Sequence, residues 1–203
     1  MNKLFNFTIM MSLMLLVSGC GLLYDCDAAE TEIVDLQQEL LDNTVMATCN
    51  PYVDKVNEYV DEGCGEDPGT VSSCQEFVCL FQTLDYNANL AIMALNSPDF
   101  FGGDSATYCT YYDSAGYNAQ AMADAGGCSN ELGAPVTQAF VDAWVSNGCD
   151  WGSDTTSSVS SPSFPFENIS EKEMISTINE QVSMLPEEYG AKIMRKLERF
   201  TSL

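Results

Sequence analysis

The chain of 203 residues has room for two small domains at most, and its apolar fraction of 46% is typical of a globular protein. Its charge is unusual: 30 Asp and Glu against 7 Lys and Arg give a net charge of −23, and there is no His. Such acidity excludes binding of nucleic acid by phosphate neutralisation. The lack of His excludes Ser-His-Asp and Cys-His nucleophiles, His-ligated metals and phosphohistidine relays.

The N-terminus has the pattern of an export signal. Lys3 supplies a positive charge, and the stretch from Leu4 to Val17 is largely apolar. This run is shorter than the roughly 20 residues that a membrane-spanning helix needs. Residues 1–19 are therefore predicted to be a signal peptide rather than a transmembrane anchor.

The end of this signal resembles the lipobox of bacterial lipoproteins. Residues 16–20 read Leu-Val-Ser-Gly-Cys, which places an aliphatic and two small residues before Cys20. The resemblance covers residues 1–20 only. It implies a peptidase cut before Cys20, a diacylglyceryl group on its sulfur, and often an acyl chain such as palmitate on its new amino group. In such lipoproteins an Asp directly after the lipidated Cys favours retention in the inner membrane, so Gly21 at that position favours the outer membrane. The alternative is an ordinary secretory signal, which would leave Cys20 as a structural cysteine.

The remaining cysteines are even in number, which in an exported chain predicts up to four disulfides. They are Cys26, Cys49, Cys64, Cys74, Cys79, Cys109, Cys128 and Cys149. A metal site is the competing interpretation, with Cys74 and Cys79 as its nearest pair, but the short spacing that zinc sites use does not recur. We expect neither metal nor cofactor.

Helix geometry limits the pairing of these cysteines without fixing it. Cys49 and Cys64 flank one predicted helix and would lie about 20 Å apart, too far for a disulfide. Cys74 and Cys79 point to different faces of another helix. Each bridge is therefore expected to join different helices.

The apolar spacing along the chain is helical, and no alternating strand pattern is convincing. Helices are predicted over 31–48, from Asn50-Pro51 onward, from the capping pattern at Ser73 to Asn96, over 106–125 with an interruption at Gly116, and from Pro135. The last of these is expected to bury Val136, Phe140, Val141, Trp144 and Val145.

Three predicted helices end in the dipeptide Gly-Cys, at Gly63-Cys64, Gly127-Cys128 and Gly148-Cys149. Gly is the usual residue just past a helix end, and the next residue contacts the last helical turn. A cysteine there is able to make this contact and also tie the helix end to a neighbour. Chance recurrence is the alternative.

The composition changes after Trp151. Residues 153–166 form a predicted Ser- and Pro-rich linker, and 167–203 hold five of the seven basic residues but no Cys. A capping box at Ser170 starts two amphipathic helices, with four bases expected on the polar side of the second: Lys192, Arg195, Lys196 and Arg199. This pair either packs back on the core or docks on a protein partner.

The sequence thus predicts an all-α, disulfide-stapled helical bundle followed by a linker and a C-terminal amphipathic helical hairpin. A lipid-anchored tether is expected over 20–30 and the stapled domain over 31–152.

Two functions remain open. The first is a lipid-anchored, non-catalytic structural or binding module of the cell envelope, with the membrane as its partner. The second is an exported hydrolase that uses paired carboxylates, as glycosidases do. Its candidate acids are Glu76, Asp85, Asp99 and Asp104. The acidity fits either a saline habitat or attraction of cations or a basic partner.

Overall fold

The computed structural model describes residues 24–66, 71, 73–96, 105–130, 133–149 and 170–199. Within them the chain forms seven helices: α1 (Cys26–Asp42), α2 (Met46–Asp61), α3 (Cys74–Leu95), α4 (Ser105–Ala125), α5 (Gln138–Asn147), α6 (Glu171–Val182) and α7 (Glu187–Glu198). These residues contain no strand, only an isolated bridge between Ser129 and Pro135. The predicted all-α class is confirmed.

Helix α1 begins earlier than the apolar spacing indicates. The Asp25 carboxylate accepts a hydrogen bond of 3.1 Å from the Ala28 backbone N–H, which caps the helix five residues before the predicted start. The first turns therefore occupy part of the segment predicted to be a tether. At the other end the Asn43 N–H still bonds to Glu39 O at 2.9 Å, but Asn43 itself is extended, which ends α1 well before residue 48.

The prediction that Pro51 opens the second helix is wrong, because α2 begins at Met46 and Pro51 lies inside it. A Pro removes the hydrogen bond to the carbonyl four residues earlier. That carbonyl belongs to Ala47, in the first turn of α2, so the loss is confined to the start of the helix. The Thr48 hydroxyl donates to Asn43 O at 2.5 Å and ties this turn to the preceding segment.

The two capping signals are correct. Ser73 is extended and its hydroxyl accepts from the Glu76 N–H, so α3 starts at Cys74. Ser170 and Glu173 form a complete capping box before α6. The Glu173 carboxylate accepts from the Ser170 N–H at 2.9 Å, and this hydrogen bond lowers the pKa of Glu173.

Helix α3 is the centre of the bundle formed by α3–α7, and it packs against α4, α6 and α7. Fourteen of its 22 residues are buried, a pattern that marks an internal helix rather than a surface one. One face packs into a core shared with α4 and α5 through Tyr86, Leu90 and Met93. Another face carries Phe77 and Phe81 toward α7.

An aromatic pair fixes α5 on α4. The rings of Tyr112 and Trp144 stack with centroids 4.5 Å apart. Each also bonds to the other's backbone: the Tyr112 hydroxyl donates to Trp144 O at 2.7 Å, and Trp144 Nε1 donates to Tyr112 O at 3.1 Å. Helix α4 runs through Gly116 without interruption, and a Cβ there would lie 3.1 Å from the Trp144 ring. The glycine thus makes room for the indole.

Helix α5 starts later than predicted and buries fewer residues. Thr137 caps it, and Pro135 pairs with Ser129 in the isolated bridge instead of opening the helix. Val136 is nevertheless buried, as expected, but the side chain of Val145 is 68% exposed. The expectation that Val145 faces the core is wrong, because the short helix presents only one narrow stripe to α4.

The three Gly-Cys dipeptides lie just past helix ends, as predicted. All three glycines have positive φ, at 76°, 73° and 60° for Gly63, Gly127 and Gly148. Each following cysteine is bonded to an earlier helix, in the pairs Cys26–Cys64, Cys79–Cys128 and Cys109–Cys149. Cys49 and Cys74 are disulfide-bonded as well. The disulfide-stapled class is confirmed, and four disulfides are typical of an exported protein.

The described chain divides into two compact units. One comprises 24–43 and 47–71, with α1 and nearly all of α2; the other comprises 44–46 and 73–199, with α3–α7. The single stapled domain expected over 31–152 thus spans two units by this division. The second unit also contains the C-terminal hairpin, by which we mean α6 and α7 together (residues 170–199). The predicted linker lies outside the described residues.

Candidate functional site

A group of polar side chains is buried inside the second unit. This polar cluster consists of Gln82, Asp85 and Asn89 on α3, Asn118 on α4 and Lys196 on α7. Their spacing of three and four residues places the α3 members on one face of the helix. Gln82, Asn89 and Asn118 are 2%, 0% and 2% exposed, so their amides need protein partners in place of water.

Hydrogen bonds join the whole polar cluster. Asn89 Nδ2 donates to Asn118 Oδ1 at 2.6 Å, and Asn118 Nδ2 donates to Gln82 Oε1 at 2.6 Å and to Asp85 Oδ2 at 3.0 Å. Lys196 Nζ donates to Asp85 Oδ1 and, at 3.2 Å, to Asn89 Oδ1. The cluster therefore links three helices through side chains alone.

The ion pair of Lys196 and Asp85 is only partly exposed, with 26% and 16% of the two side chains accessible to solvent. Loss of the ammonium would leave the Asp85 carboxylate largely desolvated with an amide as its remaining partner. Gln82 extends the network further, because its Nε2 donates to the backbone carbonyl of Thr44, a residue that is 2% exposed. Thr44 is thereby fixed to α3.

The polar cluster is suited to positioning helices relative to one another. Each of the three amides both donates and accepts: Asn89 and Asn118 do so within the cluster, whereas Gln82 accepts within it and donates to the Thr44 carbonyl. Both Asp85 oxygens are engaged as well. Because these hydrogen bonds are internal, the cluster specifies how α3, α4 and α7 fit together. Buried polar groups of this kind select one arrangement because any other leaves them unpaired.

The candidate carboxylates do not form a catalytic pair within the described residues. Glu76 and Asp85 are nine residues apart on α3, which separates them by about 13 Å along the axis and by half a turn around it. A glycosidase pair needs its carboxyl groups about 5–9 Å apart. Glu76 is exposed at the start of α3, whereas Asp85 is bound to Lys196. Asp99 and Asp104 lie outside the described residues, as does Cys20.

The bases of α7 are not all on its solvent side. Lys192 Nζ lies 5.5 Å from the centroid of the Phe81 ring and Lys196 reaches into the polar cluster, whereas Arg195 and Arg199 are exposed. The expectation that all four share one polar face is wrong. Long side chains at the edge of an apolar stripe bend inward when an acceptor or an aromatic face lies there.

In the first unit, the principal ionic contact is centred on Lys55 of α2. Its ammonium lies 2.8 Å from Glu32 and 3.0 Å from Glu58, and 5.4 Å from the centroid of the Tyr24 ring. The hydrogen bonds to the two carboxylates raise the pKa of Lys55. Twelve acids and this single base occur between residues 24 and 66, so the pair of helices keeps a strongly negative surface.

No known protein family, curated protein or solved structure matches the chain. Among the described residues, no group of His, Cys, Asp and Glu is arranged to hold a metal ion. Nor does any helix in that part of the chain combine the length and the apolar character needed to cross a bilayer.

Sequence reasoning missed most of the polar cluster. Its signal in the sequence is that Gln82, Asp85 and Asn89 interrupt an otherwise apolar helix at a spacing of three and four residues. Polar residues in a buried helix predict partners on its neighbours.

Proposed function

We propose that the protein is a lipid-anchored module of the bacterial cell envelope that acts by structure or binding rather than by catalysis. The lipobox-like sequence ending at Cys20 is the observation that carries this proposal. The disulfides support it, since an oxidising compartment lies beyond the cytoplasmic membrane of a bacterium. Gly21 favours the outer membrane as the site of the anchor.

The early start of α1 limits the distance between the proposed anchor at Cys20 and the folded module. Five residues separate Cys20 from Cys26. Six Cα steps span about 20 Å at full extension. A module tied this closely stays at the membrane surface, and two or three acyl chains provide stable attachment.

The non-catalytic character is supported by the site itself. The polar cluster uses its hydrogen bonds internally, and Glu76 and Asp85 are too far apart to share a glycosidic bond. The hydrolase alternative then depends on Asp99 and Asp104, which flank Phe100 and Phe101 in the sequence. Assays of the purified protein on peptidoglycan and simple glycosides test this alternative. We expect no hydrolysis that depends on these two carboxylates. Hydrolysis that Asp99→Asn or Asp104→Asn abolishes would support the hydrolase.

Mass spectrometry of the mature N-terminus tests the anchor. We expect an acylated Cys20 as the first residue and partition of the protein into the detergent phase of cell extracts. Cys20→Ala should abolish both, whereas Ser18→Ala is a matched control that keeps the small residue of the lipobox and should preserve both. An unmodified N-terminus at another residue, or a Cys20→Ala variant that stays in the membrane, would contradict the proposal.

A further inference from the structure

Disulfides join the helices of the second unit unequally. Cys79 of α3 is bonded to Cys128 just past α4, and Cys109 of α4 is bonded to Cys149 just past α5. The sequence of residues 167–203 contains no Cys, so no such bond reaches the C-terminal hairpin. A disulfide stabilises a fold mainly by restricting its unfolded chain. Helices α3–α5 receive this stabilisation, whereas α6 and α7 do not.

The two helices of the hairpin pack closely on each other. Gly190 of α7 lies so near Val182 of α6 that a Cβ on the glycine would come within 2.9 Å of Val182 Cγ1. Leu185, in the turn between the helices, is buried as well. Each helix has only 12 residues, and isolated helices of that length are marginal in water. The hairpin therefore moves as a unit but depends on α3 to stay folded.

Non-covalent contacts along one face of α3 attach the hairpin to the rest of the second unit. The Tyr189 ring packs edge-on against Phe77 and Phe81, with centroid distances of 4.9 and 5.9 Å. Two turns further along α7, Lys196 Nζ donates to an oxygen of Asp85. Because these contacts lie in a row between the same two helices, a single displacement of α7 breaks them together.

Helix α3 keeps its other contacts when the hairpin leaves. Its opposite face shares a buried core with α4 and α5. Asn118 of α4 is hydrogen-bonded to Gln82, Asp85 and Asn89 of α3, and none of these three bonds involves α7. After departure of α7, Asp85 retains the bond to Asn118 at 3.0 Å, and its other oxygen becomes accessible to water. No charge is therefore left buried without a partner, which would be unfavourable.

We propose that the C-terminal hairpin is a releasable cover on α3, which detaches and unfolds as one unit while the disulfide-bonded core of α3–α5 stays folded. Opening requires less free energy than unfolding of the whole unit, because it breaks only the contacts of α6 and α7. The protein thus alternates between a closed form, which predominates, and an open form in which Phe77, Phe81 and Asp85 are uncovered. Such a cover goes beyond the proposed function and does not depend on the lipid anchor.

A releasable cover makes substitutions in the two regions act differently. Val141 of α5 is buried in the core shared by α3–α5. Val141→Ala should weaken this core, which is lost in complete unfolding but not in opening. Tyr189→Ala should weaken the attachment of the hairpin, which is lost in both processes. The core variant should therefore affect one process only, whereas the hairpin variant should affect both.

Hydrogen exchange of the mature chain, with its disulfides intact and Cys20→Ser in place of the lipidated residue, measures both processes. We expect the slowest amides of α6 and α7 to exchange at least about ten times faster than the slowest amides of α4. Val141→Ala should speed exchange in α4 at least about fivefold and leave exchange in α6 and α7 unchanged. Tyr189→Ala should speed exchange in both regions. Equal acceleration of α4, α6 and α7 by Val141→Ala would overturn the proposal, because the hairpin would then be released only when the core unfolds.

Urea provides a second test, which needs neither the core variant nor the hairpin variant. The urea dependence of an unfolding process increases with the surface that the process exposes. Exchange in α6 and α7 should therefore depend less steeply on urea than exchange of the slowest amides of α4. Equal exchange rates and equal urea dependence in the two regions would overturn the releasable cover.

Discussion

The first two helices and the last two are held together by different means. Cys26 at the start of α1 is bonded to Cys64 just past the end of α2, whereas α6 and α7 contain no cysteine and rest on α3 through Tyr189 and the polar cluster. The α1–α2 pair is strongly acidic, with Lys55 its only base, whereas five of the chain's seven bases lie in the C-terminal segment. Covalent closure tolerates charge repulsion, while non-covalent docking depends on complementary charge.

Selective removal of the Cys26–Cys64 bond should affect the α1–α2 pair and leave the hairpin unchanged. In Cys26→Ala/Cys64→Ala we expect the free energy of unfolding of the α1–α2 unit to fall by about 2–4 kcal/mol, because the bond closes a long loop in the unfolded chain. Hydrogen exchange should show loss of protection in α1 and α2, with α7 unchanged. If α7 loses protection to the same extent, the two regions are not independently held.

Truncation of Tyr189 should affect the opposite region. Tyr189 is 1% exposed and contacts two Phe rings of α3, so Tyr189→Ala should destabilise the hairpin by about 3–5 kcal/mol. Met184→Ala is the control, since the Met184 side chain is 61% exposed. Hydrogen exchange of α6 and α7 amides measures both. Similar protection in the two variants would mean that the hairpin does not depend on this anchor.

Replacement of Lys196 sharpens the same comparison. Lys196→Met keeps the apolar stem but removes the ammonium, which should cost about 1–3 kcal/mol because Asp85 is left without its charged partner. Arg195→Met, on an exposed neighbour, should change stability by less than about 0.5 kcal/mol. Urea denaturation compares the two, and equal effects would show that the ion pair is only a surface contact.

The smallest effect concerns high pH. Burial is the main cause that raises the pKa of Tyr111 and Tyr112, since it disfavours the phenolate. Below the ordinary tyrosine pKa of about 10 both are neutral in the folded and unfolded states, and their contribution to stability is fully present. It is lost as the pH rises through the higher folded values, because the unfolded chain gives up its protons first. The denaturation midpoint should therefore decrease as the pH is raised beyond about 10, and the decrease should be smaller in Tyr112→Phe.

The sequence contained the local part of this structure. The Gly-Cys dipeptides and the capping patterns at Ser73 and Ser170 act within a few residues, so their outcome is readable from the chain itself. The start of α1 at Cys26, after its Asp25 cap, and the position of Pro51 inside α2 were missed. For α1 the apolar spacing gave no sign of the cap, whereas for α2 the Asn50-Pro51 pair is a helix-start signal that the fold does not use.

The polar cluster was beyond local reasoning. Asn89, Asn118 and Lys196 come from three helices, and their pairing depends on how those helices pack. Val145 shows the same limit, because its apolar spacing fits α5 but its burial depends on how much of α5 the neighbouring helix covers. The sequence shows which polar residues lie within an apolar helix, but it does not show which residues pair with them.

Peptide mapping of the unreduced protein is the most direct test of the account. It measures which cysteines are joined, and the account predicts the links Cys26–Cys64, Cys79–Cys128 and Cys109–Cys149, with Cys49 and Cys74 also oxidised. Each cysteine that follows a helix-ending glycine should then be joined to an earlier helix. A different partner for Cys64, Cys128 or Cys149, or a free thiol among the eight, would contradict it.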